Sequence, residues 1–349
     1  RQLVELAREQ VATLVGAEAR NVIFTSGGTE ANALALSPAI EFSGNTAPIS
    51  WLLISAIEHL SVRSGGRFSN NLVEDIPVNG DGVIDLSKLE ARLKRLPGGE
   101  RVLVSLMHAN NETGVVQPVA AVAAMVHAAG GLLHVDAVQT AGRITLNINA
   151  LGADLLTISG HKLGAPQGVG ALIKSSDRLH LADPLIRGGG QERGGRAGTE
   201  NVAAIAGFGA AAKAAGAALQ QDGVRIAALR QTLETRLMTI APQSVIFGAG
   251  AERLPNTTLF ATPGLKAETA LIALDLDGIA ASSGSACSSG KVTASHVVAA
   301  MGVAPELGAC AVRLSLGWET TEADVERFIS AWSRLVSRLS SGENRGLAA

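Results

Sequence analysis

Six short apolar runs recur through the first two thirds of the chain: NVIFT (21–25), WLLIS (51–55), RVLVSLM (101–107), GLLHVDA (131–137), ADLLTIS (153–159) and GVGALI (168–173). Each has strand length, and helical patterns fill several of the gaps between them. One such pattern is PVAAVAAMVHAA (118–129), whose Pro118 suits a first helical turn. Strands alternating with helices close economically only as a mostly parallel sheet covered by helices, which sets the fold class as α/β.

A different pattern follows. From about Asn201 to Ile240 the chain is rich in Ala and Leu and reads as two helices interrupted near Gln221–Gly223. Beyond it come two strand candidates, NTTLFA (256–261) and CAVRLSL (310–316), with helices near Ala267–Leu276 and Thr321–Leu339. That mix predicts a smaller α+β domain, with boundaries at 1–218 for the large domain and 219–349 for the small one. The tail SSGENRGLAA is expected to fray.

With 349 residues, 47% of them hydrophobic and a net charge of −2, the chain has material for these two domains. It lacks the long basic run that nucleic acid or an anionic membrane would call for. Its longest apolar stretches are broken by Gly, Lys or Asp, and no spanning segment is expected. The opening RQLVELAREQVATLVGA is amphipathic and helical rather than a signal peptide. Two cysteines, Cys287 and Cys310, make neither a disulfide framework nor a zinc site, and a cytoplasmic setting is the expectation.

Four stretches carry residues suited to chemistry. In FTSGGTEAN (24–32) a strand ends in a Gly-rich turn and a helix begins. Such a turn lets backbone N–H groups approach an anion, and reads equally as a tight connection capped by Thr29. In LLHVDAVQTAG (132–142) Asp136 stands at a buried strand end, where a carboxylate needs a partner. A protonated pyridine nitrogen, an arginine or a cap would each serve. In SGHKLGAPQGVG (159–170) Lys162 leaves a strand beside Ser159 and His161, among small residues. Lysine amines form Schiff bases with carbonyl compounds. An anion turn, an Asp for a ring nitrogen and such a lysine, in that order, are together the inventory that pyridoxal phosphate requires.

The fourth stretch, ASSGSACSSGKV (281–292), sets Cys287 among Ser, Gly and Ala with no apolar period to place it in a core. A reactive thiol is the better reading there, whereas Cys310 in ACAVRLSL reads as a small buried hydrophobe.

These segments, with EHLSV (58–62), MHANNETGVVQP (107–118), HVDAVQTAGR (134–143), GGGQERGGRAGTENV (188–202), SSGSAC (282–287) and VRLSLG (312–317), run in one order along nearly the whole chain. In them the chain resembles the pyridoxal-phosphate-dependent cysteine desulfurases of the class V aminotransferase group. The resemblance implies a fold-type I transferase that takes L-cysteine, releases L-alanine and passes sulfur to an acceptor protein such as an iron–sulfur scaffold. A homodimer, without direct nucleic-acid or membrane partners, is implied as well.

Residue by residue, it implies that Lys162 holds the cofactor and moves protons at the substrate Cα. Asp136 would pair with the pyridine nitrogen, His59 stack on the ring and Gln139 bond its phenolic oxygen. Gly28, Thr29, Ser159 and His161 would bind phosphate, joined by Thr199 of the neighbouring subunit. Arg313 would clamp the substrate carboxylate with help from Asn111, and Cys287 would take the sulfur as a persulfide. His59 as a strand-end cap, Arg313 as the partner of a local acid, and Arg193 and Arg196 as a solvated basic pair are the plainer readings. The remaining histidines, His108, His127, His134, His180 and His296, have no metal spacing. Family members usually begin with some tens of further residues carrying an Asn-Ala-Thr-Thr stretch, and this sequence starts at the helix expected to follow them. That departure keeps an inactive scaffold form as an alternative, beside a selenocysteine lyase or related aminotransferase on the same fold.

Overall fold

The computed structural model describes residues 1–284 and 295–346, with side chains as far as residue 338. Backbone contacts divide the chain into two units. The first takes Arg1–Pro77, Ile84–Ala109 and Gln117–Leu219; the second takes Val78–Val83, Asn110–Val116 and Gln220–Ala349.

In the first unit the apolar runs become β1 (Val22–Thr25), β3 (Ile49–Ser55), β5 (Arg101–Met107), β6 (Leu132–Asp136), β7 (Leu155–Ser159) and β8 (Gly170–Lys174). A polar strand, β4 (Val73–Ile76), joins them at one edge. The sheet order is β1-β8-β7-β6-β5-β3-β4. Pairings from β4 across to β7 are parallel, and β8 runs antiparallel to both β7 and β1. Every residue of β5, β6 and β7 is buried, which is why these strands read as continuous apolar runs rather than alternating ones. A small ribbon pairs β2 (Ile40–Phe42) with β9 (Leu179–Leu181).

The topology decides where chemistry can sit. Reversal of β8 leaves β1 pointing the same way as β7, so the carboxyl ends of β1, β3, β5, β6 and β7 share one edge. Open α/β sheets bind ligands outside that edge.

In the second unit β10 (Val245–Ile246), β11 (Thr257–Ala261), β12 (Ser282–Ser283) and β13 (Ala311–Ser315) form an antiparallel sheet in the order β10-β11-β13-β12. Its largely aliphatic core holds an aromatic cluster. Phe260 meets Trp332 edge-on at 5.0 Å, and Phe328 stacks on Trp332 at 5.8 Å. Helices Ala267–Leu276 and Glu322–Gly346 cover the sheet together with Leu229, Leu233 and Leu237 of helix Val202–Ile240, and Glu322–Gly346 continues beyond Leu339 into the tail that was expected to fray.

The expected break near Gln221–Gly223 does not exist: Val202–Ile240 is one helix of 39 residues. Gly223 costs only about 1 kcal/mol against alanine inside a helix, and no proline lies within the segment to stop it. The merged helix is long and apolar enough, by length and composition, to cross a membrane, with 28% of its most apolar window buried. No such segment was expected, because Gly, Lys and Asp break the apolar stretches of the sequence.

Candidate active site

The Gly-rich turn is shaped by crowding. β8 begins at Gly170, which lies opposite Thr25 on one side and Ser159 on the other. A Cβ on Gly170 would stand 2.6 Å from the carbonyl carbon of Gly27 and 2.9 Å from the Ile158 oxygen. Only glycine lets the turn lie this close to the sheet. Gly27 is the N-cap of helix Gly28–Ala35, so Thr29 sits inside the first turn, exposed, and is not the cap. A Cβ on Gly28 would lie 3.0 Å from Val138 Cγ2 and 3.4 Å from Ser159 Cβ, which brings the turn beside the ends of β6 and β7. The first N–H groups of a helix have no intrahelical acceptor and carry its positive dipole end, a ready seat for phosphate.

One helical turn past Gly28, Asn32 points back into the protein. Its Nδ2 donates to Asp136 Oδ2 at 2.8 Å, while Val138 N donates to Asp136 Oδ1 at 3.0 Å. Asp136 is 6% exposed. Burial pushes its carboxyl up, opposed by the hydrogen bonds from Asn32 and Val138 and by the charge that His59 carries when protonated. Asn32 itself was missed as a site residue, although TSGGTEAN contains it at i+4 from Gly28. Its Oδ1 is buried without a hydrogen-bond partner among the described residues, an arrangement that costs about 1–3 kcal/mol. Turning the amide over would set that oxygen against the Asp136 carboxylate, so the carboxylate dictates the orientation.

His59 follows β3. It is the N-cap of the short helix Leu60–Arg63, accepting from Ser61 N through Nδ1, so the plainer capping reading is realised. Ser61 Oγ lies 2.8 Å from the same nitrogen and also accepts from Asn32 Nδ2 at 2.9 Å. The neighbouring Glu58 is completely buried and accepts from Met107 N at 2.6 Å. Burial raises its carboxyl well above the ordinary range, the Met107 N–H opposes this, and the nearby charge of Asp136 reinforces it.

Lys162 closes a 3-10 turn, Gly160–Lys162, directly after β7. A Cβ on Gly160 would meet Val169 Cγ1 at 2.7 Å, so the turn needs its glycine. Ser159 Oγ and His161 Nδ1 are 2.9 Å apart. Burial and the charge of Lys162 lower the His161 imidazole. Arg143 fastens the two segments that carry Gln139 and Lys162, donating to the Gln139 carbonyl at 2.9 Å and the Lys162 carbonyl at 3.2 Å.

Asn111 and Arg313 both belong to the second unit. Arg313, half-buried on β13, donates from Nη1 to the Asn111 carbonyl at 2.9 Å. Beside Asn111, Glu112 is 1% exposed and accepts from Ser295 Oγ at 2.5 Å. Burial raises its carboxyl, opposed by Ser295 and by the charge of Arg313. A Cβ on Gly284 would lie 2.3 Å from Glu112 Oε2, so Glu112 touches the segments on both sides of residues 285–294. Nothing in the spacing of NNETG announced this role for Glu112. Cys287 lies outside the described residues, and Cys310 is buried, as read.

Thr199 is exposed in the first unit. The basic pair near it is not simply solvated. Arg196 pairs with Glu30 at 3.0 Å, Arg193 donates to the Arg20 carbonyl, and Glu192 forms a buried pair with Arg8 at 2.7 Å. Of the other histidines, His134 lies within the sheet between Ser105 Oγ at 2.8 Å and Thr157 Oγ1 at 3.0 Å. His108 meets Thr140 at 3.1 Å, and His127 meets Asp154 at 2.9 Å.

The aminotransferase class-V family profile matches residues 1–328. A cysteine desulfurase of Trichormus azollae is 41% identical over 340 residues, covering 96% of this chain and 82% of its own. The chain belongs to the cysteine desulfurases, within the class-V aminotransferase family. The cysteine desulfurase IscS of Dictyoglomus turgidum is 36% identical over 97% of this chain and 85% of its own. A NifS-like protein of Rickettsia africae superposes with a TM-score of 0.86 at 39% identity, over 96% of this chain and 88% of that one.

Cysteine desulfurases of this family depend on pyridoxal phosphate, and the first unit fits it. Asp136 is a buried carboxylate that accepts from two neutral donors, Asn32 Nδ2 and Val138 N. A protonated ring nitrogen is a cation that a carboxylate so buried stabilises. The helix N-terminus at Gly28, with Ser159 and His161 beside it, supplies donors of the kind a phosphate takes.

Proposed function

We propose that this chain converts L-cysteine and its own thiol into L-alanine and a persulfide on Cys287, which then passes sulfur to an acceptor protein. The reaction balances without an outside oxidant: the substrate Cβ–S bond breaks, its electron pair stays with Cβ and is later protonated, and sulfur joins Cys287 Sγ. When bound, pyridoxal phosphate supplies the electron sink that makes this cleavage accessible.

The chain's own residues do the rest. Asp136 would hold the ring nitrogen's proton, Gln139 would bond the phenolic oxygen, and Gly28, Thr29, Ser159 and His161 would take the phosphate. Lys162 binds the cofactor and moves the proton at the substrate Cα. His59 would stack on the ring, and Arg313 with Asn111 would receive the substrate carboxylate as a fork. Thr199 reaches the phosphate of a second copy in a cytoplasmic homodimer, and iron–sulfur assembly is the destination of the sulfur. The large domain is taken as 1–218 and the small one as 219–349.

The observation that carries the reading is Asp136, a buried carboxylate clamped by neutral donors at the end of β6, on the same strand edge as the Gly28 turn and Lys162. The test is alanine release from L-cysteine with reductant, for cofactor-loaded wild type and Cys287→Ala. Alanine from the wild type and its strong loss in the variant support sulfur transfer through Cys287. Equal release from both would sink that role and favour a lyase that needs no protein thiol. Borohydride should fix the cofactor to Lys162; its failure to do so in loaded protein would remove Lys162 from the reaction.

A further inference from the structure

Four side chains of the first unit form one hydrogen-bonded line: Asp136, Asn32, Ser61 and His59. Counting hydrogens along it gives it a direction. The Asn32 amide nitrogen has two, and both are spent, one on Asp136 Oδ2 at 2.8 Å and one on Ser61 Oγ at 2.9 Å. The Ser61 hydroxyl therefore accepts from Asn32. Its single hydrogen goes to His59 Nδ1, 2.8 Å away. The Ser61 backbone N–H, which can only donate, points at the same nitrogen from 3.2 Å. His59 Nδ1 thus faces two donors and acts as an acceptor, which leaves the hydrogen of a neutral ring on Nε2.

A second observation says that the line is held on purpose. Asn32 Oδ1 is buried with no partner among the described residues. Turning the amide over would set Oδ1 against the Asp136 carboxylate, so the acceptor is left unsatisfied. Asn32 keeps both hydrogens aimed at Asp136 and Ser61.

We propose that Asn32 and Ser61 are positioning residues that lock His59 in its Nε2–H tautomer and tie the imidazole to the Asp136 carboxylate. The consequence for catalysis rests on the reading of His59 and Asp136 given above: the group over the ring and the group at the ring nitrogen are set by one bridge. Ser61 is then a determinant of how His59 presents its proton, acting through the imidazole.

The test reads the tautomer directly. Holoenzyme with 15N-labelled histidine is examined by long-range 1H–15N correlation, with His59 assigned from the signal lost in His59→Gln. The wild type should show an unprotonated Nδ1 and a protonated Nε2. Ser61→Ala should raise the Nδ1-protonated fraction severalfold and lower kcat roughly tenfold with little change in KM. Ser61→Thr, which keeps the hydroxyl, should restore both. Asn32→Ala, if it folds, should shift the visible absorption of the bound cofactor, because Asp136 loses a donor. A proton on Nδ1 in the wild type, or a wild-type tautomer and kcat in Ser61→Ala, would overturn the proposal. The tautomer measurement needs no turnover, so a wild type that releases no alanine sinks the desulfurase reading while this one is still decided.

Discussion

Gly170 lies so close to Gly27 that a Cβ at its position would stand 2.6 Å from the Gly27 carbonyl carbon and 2.8 Å from its Cα. Neither atom belongs to a flexible side chain, so an added methyl must displace the backbone of the turn. Gly170→Ala should therefore weaken cofactor binding roughly tenfold or more, by moving the helix N-terminus at Gly28 away from its seat on the sheet. Titration of apoprotein with pyridoxal phosphate, followed by absorbance, measures it. Unchanged affinity would mean that the turn gives way without loss.

The pair Arg8–Glu192 ties the first helix to the loop GGGQERGG. Arg8 donates to both Glu192 oxygens at 2.7 and 2.9 Å, and Phe24 N donates to Glu192 Oε2 at 2.9 Å. Their side chains are 5% and 2% exposed. Removing Glu192 strips the buried Arg8 of both these hydrogen bonds and leaves it only the exposed Glu5 carboxylate as an ion-pair partner at 3.4 Å, a loss towards the lower end of the about 3–5 kcal/mol that breaking a buried pair costs. Glu192→Ala should lower the denaturant midpoint accordingly, whereas breaking the exposed pair Lys94–Glu90 should change it by less than about 1 kcal/mol.

Ser295 should behave as a cap with a second duty. Its Oγ accepts from Val298 N at 3.1 Å while donating to Glu112 at 2.5 Å. Ser295→Ala should cost about 1–2 kcal/mol from the cap, plus a penalty for the buried Glu112 oxygen it abandons. If Glu112→Ala and Ser295→Ala together cost no more than the larger of the two alone, the coupling between them is established.

Acid should destabilise the first unit through its buried histidines. Burial pushes His134 down to about 3 and His108 down to about 4, against an ordinary value of 6.5. The unfolded chain takes up these protons near pH 6.5 and the native one does not. Their contribution is therefore fully present above pH 6.5 and is lost as pH falls from there towards 3–4. Where both are protonated only when unfolded, the loss is about 2.7 kcal/mol per pH unit. Urea midpoints across this range should fall less steeply in His134→Gln than in the wild type, with about half the histidine slope remaining. An unchanged slope would count against a neutral buried His134.

What the sequence determined by itself was local and periodic. Fully apolar runs between helical patterns announced the α/β unit, because strands covered on both faces have no polar side to show. The cofactor was legible for a similar reason: a Gly-rich turn, an acid at a buried strand end and a lysine after a strand are unusual enough in one chain to point to a single one. The helix break near Gly223 was misread because glycine punctuates sequence more strongly than it breaks an alanine-rich helix.

The tertiary structure decided the contacts between distant segments. Asn32 meets Asp136 across 104 positions and Ser295 meets Glu112 across 183. No periodicity encodes such pairs, since a hydrogen bond records where two chains cross in space. Gly170 shows the same limit. Its value lies in the backbone of Gly27, and only the antiparallel return of β8 puts the two together.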